Sequence, residues 1–263
     1  MKKNYLHIPY IFVFVMIVGC SKNERSNDLE INYEYCENIT DTTGFTNYFK
    51  PFSEYEWKFE SYDYKVERRQ LPEDVLKSLT LEELFYQCVW LDMARDALVF
   101  DSYQEGFRAY LNNFNCIQEL YEREGVHLFL EEKLRIMDVK DVVGVDCWFY
   151  KHLLEFSYVQ EECLSLYPEE KTLNILSFMF EKTDRLSFLT TLESPNYKLV
   201  DLSQWMLGIG NIMIMHGYSP FQEELKVDDE LNLFMNGRIN ANANVIIKVS
   251  EFGTEFYKTI SKS

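Results

Sequence analysis

Two long stretches of this chain are apolar nearly all the way round, and they dictate what the rest of it has to be. Asp146 to Leu164 reads "DCWFYKHLLEFSYVQEECL", and Leu202 to His216 reads "LSQWMLGIGNIMIMH". A helix without a polar face has to be enclosed by other elements, so each stretch is expected to be a central, buried helix. Candidate partners stand before, between and after them. Pro72 is placed as a first helical residue in "LPEDVLKSL", where its missing N–H costs nothing. Thr80 and Glu83 form a capping box ahead of "LEELFYQCVW", and Ser102 and Glu105 form another. The second box opens a helix with Tyr103, Phe107, Tyr110, Leu111 and Phe114 on one stripe. Asn115 with Gln118 starts "CIQELYERE", which Gly125 is placed to stop in the left-handed conformation. Val126, Leu130, Leu134 and Met137 stripe the next helix. Pro168 opens "PEEKTLNILSFMFEK", and Gly217 and Pro220 end the second apolar stretch. A short helix follows near Leu231–Met235, and a final one carries Val245, Val249, Phe252, Phe256 and Ile260 on one face.

The expected fold is therefore all-α: an irregular α-α array or helical bundle of about nine or ten helices, two of them buried hubs. No fixed-period repeat of the solenoid kind is present. One segment reads two ways. In "EYEWKFESYDYKVE", Tyr55, Trp57 and Phe59 alternate with charges as in a strand. Yet Tyr55, Phe59, Tyr62 and Val66 also keep helical spacing. Helix is the favoured reading, with a minor β element near residues 54–66 as the alternative.

The front of the chain is of a different kind. Met1-Lys2-Lys3 is basic, no acidic residue precedes Glu24, and Ile11–Val18 is an apolar core too short to span a bilayer, which takes about 20 residues. That is the make-up of a secretory leader. It ends Ile17-Val18-Gly19-Cys20, which resembles the lipobox of bacterial lipoproteins. The resemblance implies that Cys20 is alkylated with diacylglyceryl and becomes the acylated N-terminus after cleavage behind Gly19. Ser21 in place of Asp implies the outer membrane, facing either the periplasm or the exterior. The domains expected are a signal peptide at 1–19, a lipidated and flexible polar tether at 20–32, and one helical domain at 33–263 with an aromatic-rich start. The block from Arg68 to Glu124 also resembles an uncharacterised group of helical bacterial proteins. Its matching positions are Leu71–Lys77, Thr80–Leu84, Tyr103 with Gly106-Phe107, and Phe114-Asn115 with Glu119-Leu120. A Tyr-Pro common in that group is replaced here by "WLDMARD". These motifs are caps and core positions, so the resemblance implies a shared fold and no activity.

Charge and chemistry narrow the function by exclusion. The formal balance is −17, and loss of Lys2 and Lys3 with the leader makes it −19. Such a surface repels nucleic acid. Aromatics make up 16% of the chain, ample for a core. Cys36, Cys88, Cys116, Cys147 and Cys163 show no C-x-x-C spacing and are expected mostly as small core residues. "GIGN" at Gly208–Asn211 lacks a third glycine and a preceding strand, so close helix packing explains it better than phosphate binding. His127, Glu131 and Arg135 share one helix face and read as an ion ladder. His152 and Glu155 have the spacing of half a bundle metal site in reversed order, with no second copy. His216 stands at a helix C-terminus, where a cation is favoured. The pairs Glu161-Glu162 and Glu169-Glu170 are sequence neighbours that point apart on a helix. Asp41-Thr42-Thr43 fits a bacterial O-glycosylation pattern at Thr42, and Asn38-Ile39-Thr40 an N-glycosylation pattern of no consequence in a bacterial lipoprotein. No catalytic, cofactor or metal site is expected. The leading expectation is a membrane-anchored binding or interaction module with a protein or carbohydrate partner. The alternative is an envelope hydrolase or metal-dependent enzyme using His127 or His152 with nearby Glu.

Overall fold

The computed structural model describes residues 45–50, 52–91, 100–137, 145–189 and 195–262, and the side chains of 90, 145–149, 185–189 and 195–201 fall outside that description. Cys20, Cys36, Asn38, Thr42 and the 20–32 tether lie outside the described residues, as does the side chain of Cys147. The described residues hold fourteen α-helices and no strand. In chain order these are α1 (Glu54–Phe59), α2 (Tyr62–Glu67), α3 (Glu73–Ser78), α4 (Leu81–Trp90), α5 (Tyr103–Asn113), α6 (Asn115–Glu122), α7 (Val126–Ile136) and α8 (Val145–Val159). They continue with α9 (Glu161–Leu164), α10 (Thr172–Leu189), α11 (Pro195–Met215), α12 (Ser219–Val227), α13 (Asp229–Met235) and α14 (Ala243–Ile260). The fold is an all-α array, and none of the described helices is long and apolar enough to cross a membrane.

The two apolar stretches are its hubs. Every described side chain of α8, from Tyr150 to Val159, is buried, and so are Ser203 to Gly210 on α11. The hubs pack on one another; α7 also covers α8, and α10 and α14 cover α11. Their junction is aromatic: Tyr158 of α8, Phe178 of α10 and Trp205 of α11 have ring centroids 5.8–6.1 Å apart. Removing one such large side chain from water stabilises by about 1.5–3 kcal/mol. The glycines of "GIGN" serve contact between helices. A Cβ at Gly208 would stand 2.9 Å from Met179 Cε, and one at Gly210 only 2.4 Å from Met235 Cε. On α14, a Cβ at Gly253 would stand 2.6 Å from Ile209 Cγ2. Gly217, at φ 63°, takes the left-handed turn that ends α11; Gly125, at φ 78°, is instead the residue that opens α7, and α6 already ends at Glu122 with Arg123 extended behind it.

Several local expectations shift. Residues 54–66 hold no strand, and the helical spacing there belongs to two short helices. Ser53 caps α1, and Ser61 caps α2 by accepting from Tyr64 N–H at 3.2 Å, which restarts the chain after Glu60. Pro72 is the residue before α3, not its first. The Thr80–Glu83 box is complete, with both reciprocal bonds formed. Ser102 accepts from Glu105 N–H at 3.0 Å, but its hydroxyl donates to the Gly237 carbonyl, and Asn240 Oδ1 accepts the N–H of Tyr103. Asn115 does not cap α6. It clamps Leu71 instead, accepting from its N–H at 3.0 Å and donating to its carbonyl at 2.8 Å.

Candidate functional site

Tyr167 divides two clefts on the face formed by α7, α10 and the end of α11. The larger, about 560 Å³, is lined by His127, Leu128, Glu131 and Arg135 of α7, by Tyr167 and Pro168, and by Lys171 with Asn174, Ile175, Ser177, Phe178 and Glu181 of α10. The smaller, about 390 Å³, lies on the other side of Tyr167, with Thr172, Met215 and His216 in its wall. The α7 positions converge because residues four apart lie one above the other on a helix. Pro168 ends the preceding segment and a 3-10 turn, Glu169–Lys171, leads into α10, so Tyr167 is delivered across α7.

The Tyr167 hydroxyl is the centre of the polar contacts. It lies 2.6 Å from Glu131 Oε2 and 2.9 Å from the His127 carbonyl, and donates its proton toward both. Burial, then the neighbouring Tyr158 and Glu131, holds its phenol far above the ordinary range, so it remains a donor across all physiological pH. Arg135 closes the other Glu131 oxygen from Nε at 2.7 Å and lays its guanidinium 4.3 Å over the Phe178 ring. The His127 ring meets Tyr167 edge-on at 4.6 Å, and burial lowers its pKa against the pull of Glu131. The imidazole is thus neutral at pH 7, and its Nδ1 is buried with no hydrogen-bond partner. At the mouth, Leu128 is exposed and Lys171 adds a second cation. The groove offers a locked carboxylate–arginine–tyrosine floor with an apolar and cationic rim. That arrangement suits holding a polar ligand better than moving protons, because the Glu131 oxygens are already engaged.

The ladder expected from sequence is present in its Glu131–Arg135 rung, and Tyr167, which sequence spacing did not reveal, completes it. His152 is 2% exposed and Glu155 equally so. Glu155 receives Lys151 Nζ at 2.8 Å and Trp205 Nε1 at 3.2 Å, so this pair is part of the core with no access for a substrate. His216 Nε2 lies 3.0 Å from Thr172 Oγ1, joining the end of α11 to the start of α10. Cys88, Cys116 and Cys163 are free and buried, and burial raises the thiol pKa of Cys88 and Cys163. Glu162 pairs with Arg108 of α5 at 2.6 Å, whereas Glu169 and Glu170 lie exposed on the turn before α10. Among the described residues no three His, Cys, Asp or Glu side chains converge as metal ligands. Comparison with protein-family models, with curated proteins and with solved structures yields no match to this chain.

Proposed function

We propose that this chain is a lipoprotein of the bacterial outer membrane, cut before Cys20 and acylated there, whose helical domain is a binding module. The observation that carries the reading is Ile17-Val18-Gly19-Cys20 behind a basic start and a short apolar core. A single acyl chain holds a protein only marginally, whereas two or more moor it stably, at roughly 0.8 kcal/mol per buried methylene. Kinship with the uncharacterised helical group belongs to the same reading and concerns fold alone.

The binding half of the proposal rests on the groove beside Tyr167. Its volume of about 560 Å³ falls in the range of sites that hold small ligands, about 300–1,000 Å³. Paired charges at Arg135 and Glu131 next to exposed Leu128 fit a peptide loop or a sugar ring, so the partner is a protein or a carbohydrate.

Mass spectrometry of the N-terminal peptide from membrane-extracted protein tests the anchor. Cys20 is expected to be the first residue and to carry diacylglyceryl and a further acyl group, and Cys20→Ser is expected to leave the protein in the soluble fraction. An unmodified Cys20 would end the proposal. For the groove, wild type and Arg135→Glu are compared on a glycan array and against envelope extracts. Binding that survives the charge reversal lies elsewhere on the molecule.

A further inference from the structure

Two buried cysteines face each other across a pair of packed helices. Cys88 stands one turn after Leu84 on the stripe of α4 that also carries Phe85 and Leu91, all no more than 1% exposed. Cys116 stands with Ile117 and Leu120 on the buried side of α6, where none of the three is exposed. The helices α4 and α6 pack on one another, and the thiols of Cys88 and Cys116 lie within hydrogen-bonding reach of each other. Tyr110 of α5 bridges the same two residues. Its hydroxyl donates to the Cys88 carbonyl at 2.7 Å and also reaches the Cys116 thiol. Its ring packs at 5.2 Å on Phe114, two residues before Cys116. Cys163 has acids for neighbours instead, Glu131 and Glu162.

Spacing along the chain hides this pair, because its members stand 28 positions apart. What two touching thiols become depends on the compartment. In the cytosol they stay reduced, whereas an exported chain meets catalysts that oxidise them. In the finished fold neither thiol is open to a reagent, and burial pushes the Cys88 thiol well above its ordinary range. A bond between them therefore forms while the chain is folding, when α4 and α6 have met and the core has not yet closed. At that stage each cysteine is near its unperturbed pKa of about 8.5, and a few per cent of it is thiolate at neutral pH.

We infer that Cys88 and Cys116 become a disulfide in the exported protein and staple α4 to α6 inside the core. The co-reactant is a dithiol oxidoreductase of the envelope in its disulfide form. The thiolate of one cysteine attacks that disulfide, which gives a mixed disulfide and releases one thiolate of the oxidoreductase. The other cysteine, as thiolate, then attacks the sulfur of the first and releases the second. One S–S bond forms in this chain and one breaks in the oxidoreductase. Two electrons pass to the oxidoreductase, and the two thiol protons end on its cysteines. The inference takes its compartment from the lipoprotein reading and its pairing from the fold alone.

The test quenches the full-length exported protein in acid, caps its free thiols with N-ethylmaleimide in denaturant, and reads the unreduced digest by mass spectrometry. The same digest reads the state of Cys20. The peptides of Cys88 and Cys116 are expected to be joined, two hydrogen masses below their sum, with Cys163 capped. Protein refolded with the bond is expected to melt about 4–16 °C above the same chain refolded and kept in reductant, and equal melting would refute the staple. Capped Cys88 and Cys116 in chains whose Cys20 is acylated would overturn the pairing while leaving the anchor standing, as would a bond from either to any other cysteine. An unmodified Cys20 would instead remove the anchor and the compartment inferred from it. Refolding the purified chain in a glutathione redox buffer then decides the pairing by itself: a Cys88–Cys116 link upholds it, and two capped thiols overturn it.

Discussion

Glu155 sits inside the core with both carboxylate oxygens taken. Lys151, one helical turn away, donates to Oε2 at 2.8 Å, and Trp205 on the other hub donates to Oε1 at 3.2 Å. Breaking a buried pair by deleting one partner leaves an uncompensated charge and typically costs about 3–5 kcal/mol. Glu155→Ala and Lys151→Ala are each expected to lose about that much in urea unfolding, whereas Lys151→Met/Glu155→Leu loses far less or gains. A double variant as unstable as either single one would show that volume, not charge, governs the site. The same residue shows where sequence reasoning stops. The His152/Glu155 spacing is visible in the chain and suggests half a metal site. Trp205 lies 50 positions away, and no local pattern announces that it claims the carboxylate. Tyr167 and Glu131 meet across 36 positions for the same reason, so the groove could not be drawn from the one ladder that spacing revealed.

At the scale of the element, Asp228 does two jobs at once. Its Oδ1 accepts the Leu231 N–H at 2.9 Å to cap α13, and its Oδ2 pairs with Lys248 of α14, which also reaches Glu224 of α12 at 2.7 Å. The cap bond, then Lys248, holds its pKa below the ordinary carboxylate range. A lowered folded pKa means that the unfolded chain binds the proton more readily, so stability rises with pH through this window. The contribution is complete above the usual carboxylate pKa of about 3.9 and drains away as pH falls through the depressed value. Asp228→Ala is expected to cost about 1 kcal/mol at pH 7, the worth of a cap, and its unfolding curve should converge on wild type in acid. Asp228→Asn should keep most of the cap and lose that pH dependence. Parallel curves for wild type and Asn would refute the assignment. The helices themselves were largely legible, because caps, stripes and stop residues act within a few positions. Thr80–Glu83 and Gly217 behave as their chemistry requires, whereas Gly125 opens the next helix instead of closing α6. The misses are residues whose side chains found distant partners: Asn115 is drawn to Leu71, and Ser102 is shared with Gly237. Ser61 was missed because the apolar spacing runs straight through the break it makes.

For the whole molecule the question is whether attraction or repulsion among surface charges prevails. The ion pairs that tie helices together, such as Arg108–Glu162 and Lys248–Glu224, are partly exposed contacts near 2.7 Å. Such exposed pairs contribute little, and salt screens them little at such short range. Against them stands the net charge, −17 for the chain and −19 without its first 19 residues, spread over distances comparable with the size of the domain. Repulsion of that reach is felt at 10 mM salt, where the Debye length is about 30 Å, and is mostly gone at physiological ionic strength, where it is about 8 Å. Long-range repulsion therefore loses more to screening than the short pairs do. Raising salt from 10 to 150 mM should stabilise the domain by about 1–2 kcal/mol, or roughly 2–8 °C in Tm for a chain of this size. Sodium chloride keeps specific-ion effects small, and scanning calorimetry gives the shift directly. A Tm that falls with salt would mean that the ion pairs dominate, and the acidic surface would then be organised around its cations instead of merely solvated.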